Sequence, residues 1–264
     1  VVKPRAKNLL KFEIAGACVR PKMMAGSRRR ALYSALYAVL ARGARASVSV
    51  TPSASAGAAM ALLKQKVGLT ELNVPVDDAG GVASLLLPSS QDALLDMYIE
   101  HGEHGENGEH LFDGLTPYYG IIWPSAYALC RHVGRSEIPA GSKVLELGCG
   151  VGLAGIAAAV TGAPASVVLT DLDPIAVELA QMNAERSGVG STCSTAILDW
   201  YDLEAWPEAG YDVVLGADIL YEPEACDAVA ALLARTLRPG GAFLLADGKG
   251  RRNRTLLWEA LLGG

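Results

Sequence analysis

The 264-residue chain is long enough for one α/β domain of about 150 to 200 residues plus an extension, and too short for two full domains. Its longest uncharged apolar run near the start, residues 31–41, falls well short of the roughly 20 residues a membrane-spanning helix needs, so a soluble chain without membrane partners is expected. The five cysteines, Cys18, Cys130, Cys149, Cys193 and Cys226, are an odd set without C-x-x-C spacing. That argues against a disulfide framework or a zinc knuckle and for a reducing compartment.

The net charge of −5 conceals a split. Residues 1–70 hold 13 Lys or Arg and a single acid, Glu13, leaving ten basic against 27 acidic residues, a formal charge of −17, for residues 71–264. Arg28-Arg29-Arg30 leads into an apolar, acid-free stretch, a basic amphipathic pattern of the kind found in plastid or mitochondrial transit peptides. Met24-Ala25-Gly26-Ser27 is a candidate translation start. The competing readings of this segment are a disordered basic tail and, with less support, an RNA-binding arm, for which no aromatic-basic module is present; cytoplasmic residence is the alternative to an organelle.

In chain order, the Ser, Ala, Pro and Gly content of residues 47–59 predicts a linker, and residues 71–108 have no clear element pattern. His101, His104 and His110 lie in a glycine-interrupted acidic run. Glycines prevent a helix from holding the three on one face, so a solvated loop is expected and no metal site. From Gly120 onward short apolar runs alternate with helix-length segments, the pattern of βαβ units and a parallel sheet. Helices are predicted over 124–133, 153–160, 174–186, 224–237 and 255–262. Strands are predicted over 143–147, 166–170, 195–198, 212–217 and 242–246, each nearly all apolar, as burial on both faces requires. The division that follows is a basic extension over 1–70, a second extension with the acidic loop over 71–115, and the α/β domain over 116–264.

The strongest chemical signal is Glu146-Leu-Gly148-Cys149-Gly150-Val151-Gly152, at a turn from strand into helix. Glycines there let backbone approach a ligand, beside the N–H groups of a helix start. Gly150-x-Gly152-x-x-Gly155 also satisfies the dinucleotide fingerprint, so this element alone leaves nicotinamide or flavin binding open.

In these residues the chain resembles the class I S-adenosylmethionine-dependent methyltransferases, whose first motif is E-x-G-x-G-x-G. The resemblance implies a Rossmann-like three-layer sandwich with a mostly parallel sheet. It also implies S-adenosylmethionine as cofactor, with Glu146 near the ligand's amino end and Gly148, Cys149, Gly150 and Gly152 around its methionine part. Asp171, with Leu172 beside it, matches the position that holds the ribose hydroxyls; a carboxylate can accept two hydrogen bonds from a vicinal diol. Asp173 is the better helix cap. Asp199-Trp200 corresponds to the pair that meets the adenine. Two further elements, Gly120-Ile-Ile-Trp123-Pro124-Ser125 and Asp218-Ile-Leu-Tyr221, are similar to the family 16 methyltransferases, which include many protein-lysine methyltransferases. There the Trp-Pro segment lies over the cofactor, the residue matching Ala217 touches it, and a D-x-x-Y motif lines the acceptor channel.

The likeness covers residues 118–247, about half the chain. It implies N-methylation of a lysine on a protein partner, with Asp218 orienting the incoming ammonium and Tyr221 walling the channel. The acidity of residues 71–264 favours a basic protein segment over nucleic acid as partner. Two readings compete: methylation of a small molecule, and cofactor binding without turnover. The latter arises because the antiparallel strand pair expected after the fifth strand of this class is missing.

Overall fold

The computed structural model describes residues 55–102, 112, 115–135, 138–202, 207, 210–248 and 253–263. The Arg28–Arg30 segment and most of the histidine-rich run lie outside them. His101 is the exception, placed in a helix. Among the described residues no helix is long and apolar enough to cross a membrane.

The centre is a five-stranded, all-parallel sheet of β3 (Lys143–Leu147), β4 (Ser166–Asp171), β5 (Cys193–Ile197), β6 (Tyr211–Ala217) and β7 (Leu237–Ala246), in the order β5-β4-β3-β6-β7. Because side chains alternate across a strand, β3 sends Val144 and Glu146 to one face and Leu145 and Leu147 to the other. The first face packs beneath α3 (Pro124–Arg135), α4 (Leu153–Thr161) and α5 (Pro174–Arg186). The second packs beneath α6 (Ala225–Thr236) and α7 (Asn253–Gly263), through Val214, Phe243, Val229 and Leu233. The chain leaves β3 toward β4 on one side, while β6 pairs on the other. The carboxyl ends of β3 and β6 therefore flank the switch point at which open α/β sheets form their ligand crevice. The expected three-layer, Rossmann-like architecture is present.

Two strands begin earlier than their apolar runs predict. β5 starts at Cys193, which pairs with Val167. β7 starts at Leu237, which pairs with Tyr211 before the register shifts at Val213. The Leu237–Gly241 segment thus leaves α6 directly into the start of an edge strand. Asp173 caps α5 as expected, its Oδ1 accepting from the backbone N–H of Ile175 and Ala176, with Pro174 at the first turn. After β7 the described residues hold only α7, with no further strand.

Residues 55–102 form a structured layer, so the linker expected over 47–59 is helical from Ser55 onward, and the extension expected over 1–70 is structured from that residue. Helix α1 (Ser55–Lys66) buries Ala59, Met60 and Leu63. β1 (Leu69–Pro75) and β2 (Val82–Pro88) form an antiparallel hairpin, and α2 (Gln91–Gly102) follows. The hairpin docks on α5: Asn183, fully buried, bonds the N–H and carbonyl of Leu86 and the carbonyl of Val151. Ser84 and Ser187 add a second pair of bonds. Linker-like composition failed here because small residues also suit close helix packing.

Candidate active site

The loop from β3 to α4 turns on three left-handed glycines, Gly148, Gly150 and Gly152, with φ of 59°, 53° and 87°. A side chain at these angles is strained. At Gly148 a Cβ would also lie 2.9 Å from Ile219 Cγ2 and 3.5 Å from Trp200 Cζ2. The loop therefore passes between the segment after β5 and the segment after β6, joining three carboxyl-edge loops of the sheet at one place.

Asp171, the last residue of β4, holds this loop. Its Oδ2 accepts from the N–H of Gly150 at 2.8 Å and its Oδ1 from the N–H of Asp173 at 3.1 Å, while Cys149 N–H donates to the carbonyl of Thr170. Burial raises the pKa of Asp171 above the ordinary carboxylate value, opposed by these backbone donors. The following Leu172 is exposed, an apolar side chain standing at the rim. Cys149 is buried and its thiol is pushed up by burial, then by Asp171 and Glu146, so it is a packing group and not a nucleophile.

Glu146, the acid of the first motif, bonds the start of α4. It points to the α4 face, 3% exposed, with Oε2 accepting from the N–H of Gly155 at 2.8 Å. Its carboxyl sits behind the glycine loop at the start of α4. Burial, the larger effect, pushes its pKa up to about 8 against the lowering by Gly155 N–H. Gly155 has no room for a side chain, since a Cβ would run into Leu169 Cδ2 and lie 2.7 Å from Glu146 Oε2.

Beyond β5, the N–H of Leu198 donates to the carbonyl of Asp171, which brings Asp199 and Trp200 beside β4. Asp199 Oδ1 accepts from the N–H of Tyr201 at 2.9 Å, a local turn that fixes the carboxylate. Trp200 is half-buried with its ring edge toward Gly148.

Beyond β6, Ala217 pairs with Ala246, and Asp218 N–H donates to the carbonyl of Ala246 at 2.9 Å. Asp218 has φ 55°, the single positive-φ non-glycine residue among those described. Asp tolerates this conformation better than most residues, yet it still costs roughly 1 kcal/mol, and such strain gathers at functional sites. Tyr221, 40% exposed, meets Tyr118 with ring centroids 5.4 Å apart, and Tyr118 meets Trp123 edge-on at 6.5 Å. Trp123 Nε1 donates to the carbonyl of Tyr118. Tyr118 thus links Trp123 to Tyr221, three residues after Asp218. Tyr118, Tyr119 and Ile219 were not singled out in the sequence. The Tyr-Tyr pair before Gly120 was the available signal.

Of the residues picked out by motif, the structure brings Gly148, Gly150, Gly152, Asp171 and Trp200 to one loop cluster, and Trp123 and Tyr221 to one aromatic rim through Tyr118. Ala217 ends β6 and Asp218 follows it directly. Asp199 is adjacent, and Glu146 lies beneath. Among the described residues no group of His, Cys, Asp and Glu could hold a metal ion.

A sequence profile described as lysine methyltransferase matches residues 113–258, more than half of the chain. The chain belongs to this lysine methyltransferase family. It is 34% identical over 137 residues to the electron transfer flavoprotein beta subunit lysine methyltransferase of Danio rerio, covering 51% of each chain. It is 36% identical over 118 residues to the protein N-lysine methyltransferase METTL21A of Danio rerio, covering 43% of this chain and 53% of that one. With the EEF1A lysine methyltransferase 3 of Mus musculus it shares 35% identity over 129 residues, covering 48% and 54%. The chain spans about half the length of the curated relatives it matches.

Proposed function

We propose that this chain binds S-adenosylmethionine in the crevice between β3 and β6 and transfers its methyl group to a lysine side chain of a protein substrate. The observation that carries the reading is the strained Asp218. It stands at the carboxyl end of β6, beside the glycine loop and next to the Tyr118–Trp123–Tyr221 rim. Three features fit the cofactor. The left-handed glycines leave backbone exposed to a close ligand, Asp171 supplies a diol acceptor at the end of β4, and Trp200 offers an apolar face. Membership of the lysine methyltransferase family supports the same assignment, as do relatives named for protein-lysine methylation.

When bound, the cofactor supplies an electrophilic methyl group for in-line displacement. The protein's part is placement, because a displacement of this kind needs the amine lone pair about 3 Å from the carbon and aligned. Asp218 attracts and orients the incoming ammonium. Tyr221 and Tyr118 flank its approach with ring faces that favour a cation. Gly150 and Asp171 fix the loop through the bond between them. The amine's proton leaves to water. Glu146 acts from below, bonding the start of α4 so that the loop keeps its shape.

The test is transfer of labelled methyl from S-adenosylmethionine to a cell lysate. Label in the protein fraction that maps to lysine, and that drops at least tenfold with Asp218→Asn, supports the reading; label confined to solvent-extractable material rejects it. Binding of S-adenosylhomocysteine but not of the oxidised nicotinamide dinucleotide checks the cofactor separately.

A further inference from the structure

Tyr98, Tyr119 and Asp173 form a closed polar cluster whose members come from three different parts of the chain. Tyr98 belongs to α2, Tyr119 to the 3-10 turn Tyr118–Gly120, and Asp173 is the cap of α5. Each is 5% exposed or less. The Tyr98 hydroxyl lies 2.7 Å from Asp173 Oδ2 and 3.1 Å from the Tyr119 hydroxyl. A phenol has one proton. Donated to the carboxylate, it leaves the Tyr98 oxygen to accept from Tyr119. Burial, reinforced by Asp173, raises both phenols far above their usual range and keeps them protonated. Phe112 stacks on Tyr98 at 4.0 Å, so the ring cannot swing away.

What this cluster holds is the wall of the glycine loop. The Cα and Cβ of Tyr119 lie 3.7 Å from where a side chain of Gly150 would point, so Tyr119 covers the open side of Gly150. The next residue, Gly120, is pressed on α2: a Cβ there would run into Gln91 Oε1 and Leu94 Cδ2. Gln91 Nε2 also donates to the carbonyl of Pro117. The 118–120 turn therefore rests on α2 from behind and faces Gly150 in front, and Trp123 follows it along the chain.

We propose that Tyr98 is a positioning residue for the cofactor. Through its bonds to Asp173 and Tyr119 it ties the N-terminal layer to the 118–120 turn, setting how closely that turn approaches Gly150. The inference rests on the cofactor reading given above. It makes α2 part of the binding machinery, although no residue of α2 belongs to a cofactor motif.

The experiment is calorimetric titration of the full chain with S-adenosylhomocysteine, alongside thermal denaturation, for wild type, Tyr98→Phe, Tyr119→Phe and Leu63→Ala. Loss of one buried hydrogen bond predicts a Kd about tenfold weaker for each tyrosine variant. Leu63→Ala, which empties a fully buried site on α1, lowers Tm and leaves Kd within twofold. In turnover assays Tyr98→Phe raises the cofactor KM and leaves kcat within twofold. Wild-type Kd in both tyrosine variants overturns this proposal and leaves the cofactor reading intact. So does a loss of affinity that merely follows Tm through all three variants. A wild-type chain that does not bind the probe overturns the cofactor reading, and this proposal with it.

Discussion

Asn183 on α5 and Leu86 in β2, 97 residues apart in sequence, exchange two hydrogen bonds: Leu86 N–H donates to Asn183 Oδ1 at 2.6 Å, and Asn183 Nδ2 donates to the Leu86 carbonyl at 3.2 Å. The same Nδ2 reaches the carbonyl of Val151 at 3.0 Å, inside the glycine loop. One side chain thus joins the N-terminal hairpin, α5 and the loop. Asn183→Ala would leave buried backbone groups without partners, each costing about 1–3 kcal/mol. The expected loss is about 3 kcal/mol or more in chemical denaturation, with early hydrogen exchange at Leu86. A loss below about 1 kcal/mol would show that the hairpin docks through its apolar face alone.

Glu146 governs a pH dependence whose sign is unusual for a carboxylate. Its pKa is raised from 4.5 to about 8 by burial, so the folded chain holds a proton that the unfolded chain has lost across this window. Stability then falls as pH rises between those values, by about 1.4 kcal/mol per pH unit for one such group. Asp173, raised by burial to about 7, acts in the same direction over a narrower range. Glu146→Gln keeps an acceptor for Gly155 and cannot ionise. Its stability curve is expected to be flatter than wild type between pH 5 and 8, and an unchanged slope would contradict the burial assigned to Glu146.

At Asp218 backbone strain and chemistry can be separated by substitution. Glycine accepts φ 55° without the Cβ clash, and alanine is worse there than aspartate. The stability order expected is Asp218→Gly at or above wild type, with Asp218→Ala about 1 kcal/mol below it. Both are expected to lose methyl transfer by a factor on the order of 10². Retained transfer in Asp218→Gly would remove the side chain from the mechanism and leave only its backbone role.

We further propose that the basic segment ahead of α1 addresses the chain to a plastid or mitochondrion. Because α1 begins at Ser55 and buries its side chains in the fold, the test reporter should carry residues 24–54 only. Import of that fusion is the expected result, and a cytosolic reporter ends the idea.

The centre of the sheet was legible from sequence because β3 and β6 are buried on both faces and so read as nearly unbroken apolar runs: Val144 to Leu147, with Glu146 alone interrupting, and Val213 to Ala217 announce themselves without a partner. The glycine loop was legible for a different reason, since three left-handed positions in five residues strongly favour glycine. Glu146 was legible as a motif residue but its bond to Gly155 was not, for a motif fixes a position in sequence but not which face of the strand a side chain takes. The alternation of β3, which sends Glu146 to the side of Val144, settles that. The Tyr98–Asp173–Tyr119 cluster was invisible because each member has an ordinary local role and the three meet only in space. The N-terminal hairpin was unreadable because Leu85 and Leu87 gain their meaning from α5, which follows nearly a hundred residues later.

That separation sets a timetable for synthesis. At about 5–20 residues per second, a ribosome that has just made Leu86 needs roughly 5–20 s to deliver Asn183. Throughout that interval the apolar side of the hairpin, with Leu85 and Leu87, has no α5 to cover it. This layer emerges well before α5 and is secured only after it, which leaves a nascent-chain chaperone a long opportunity there.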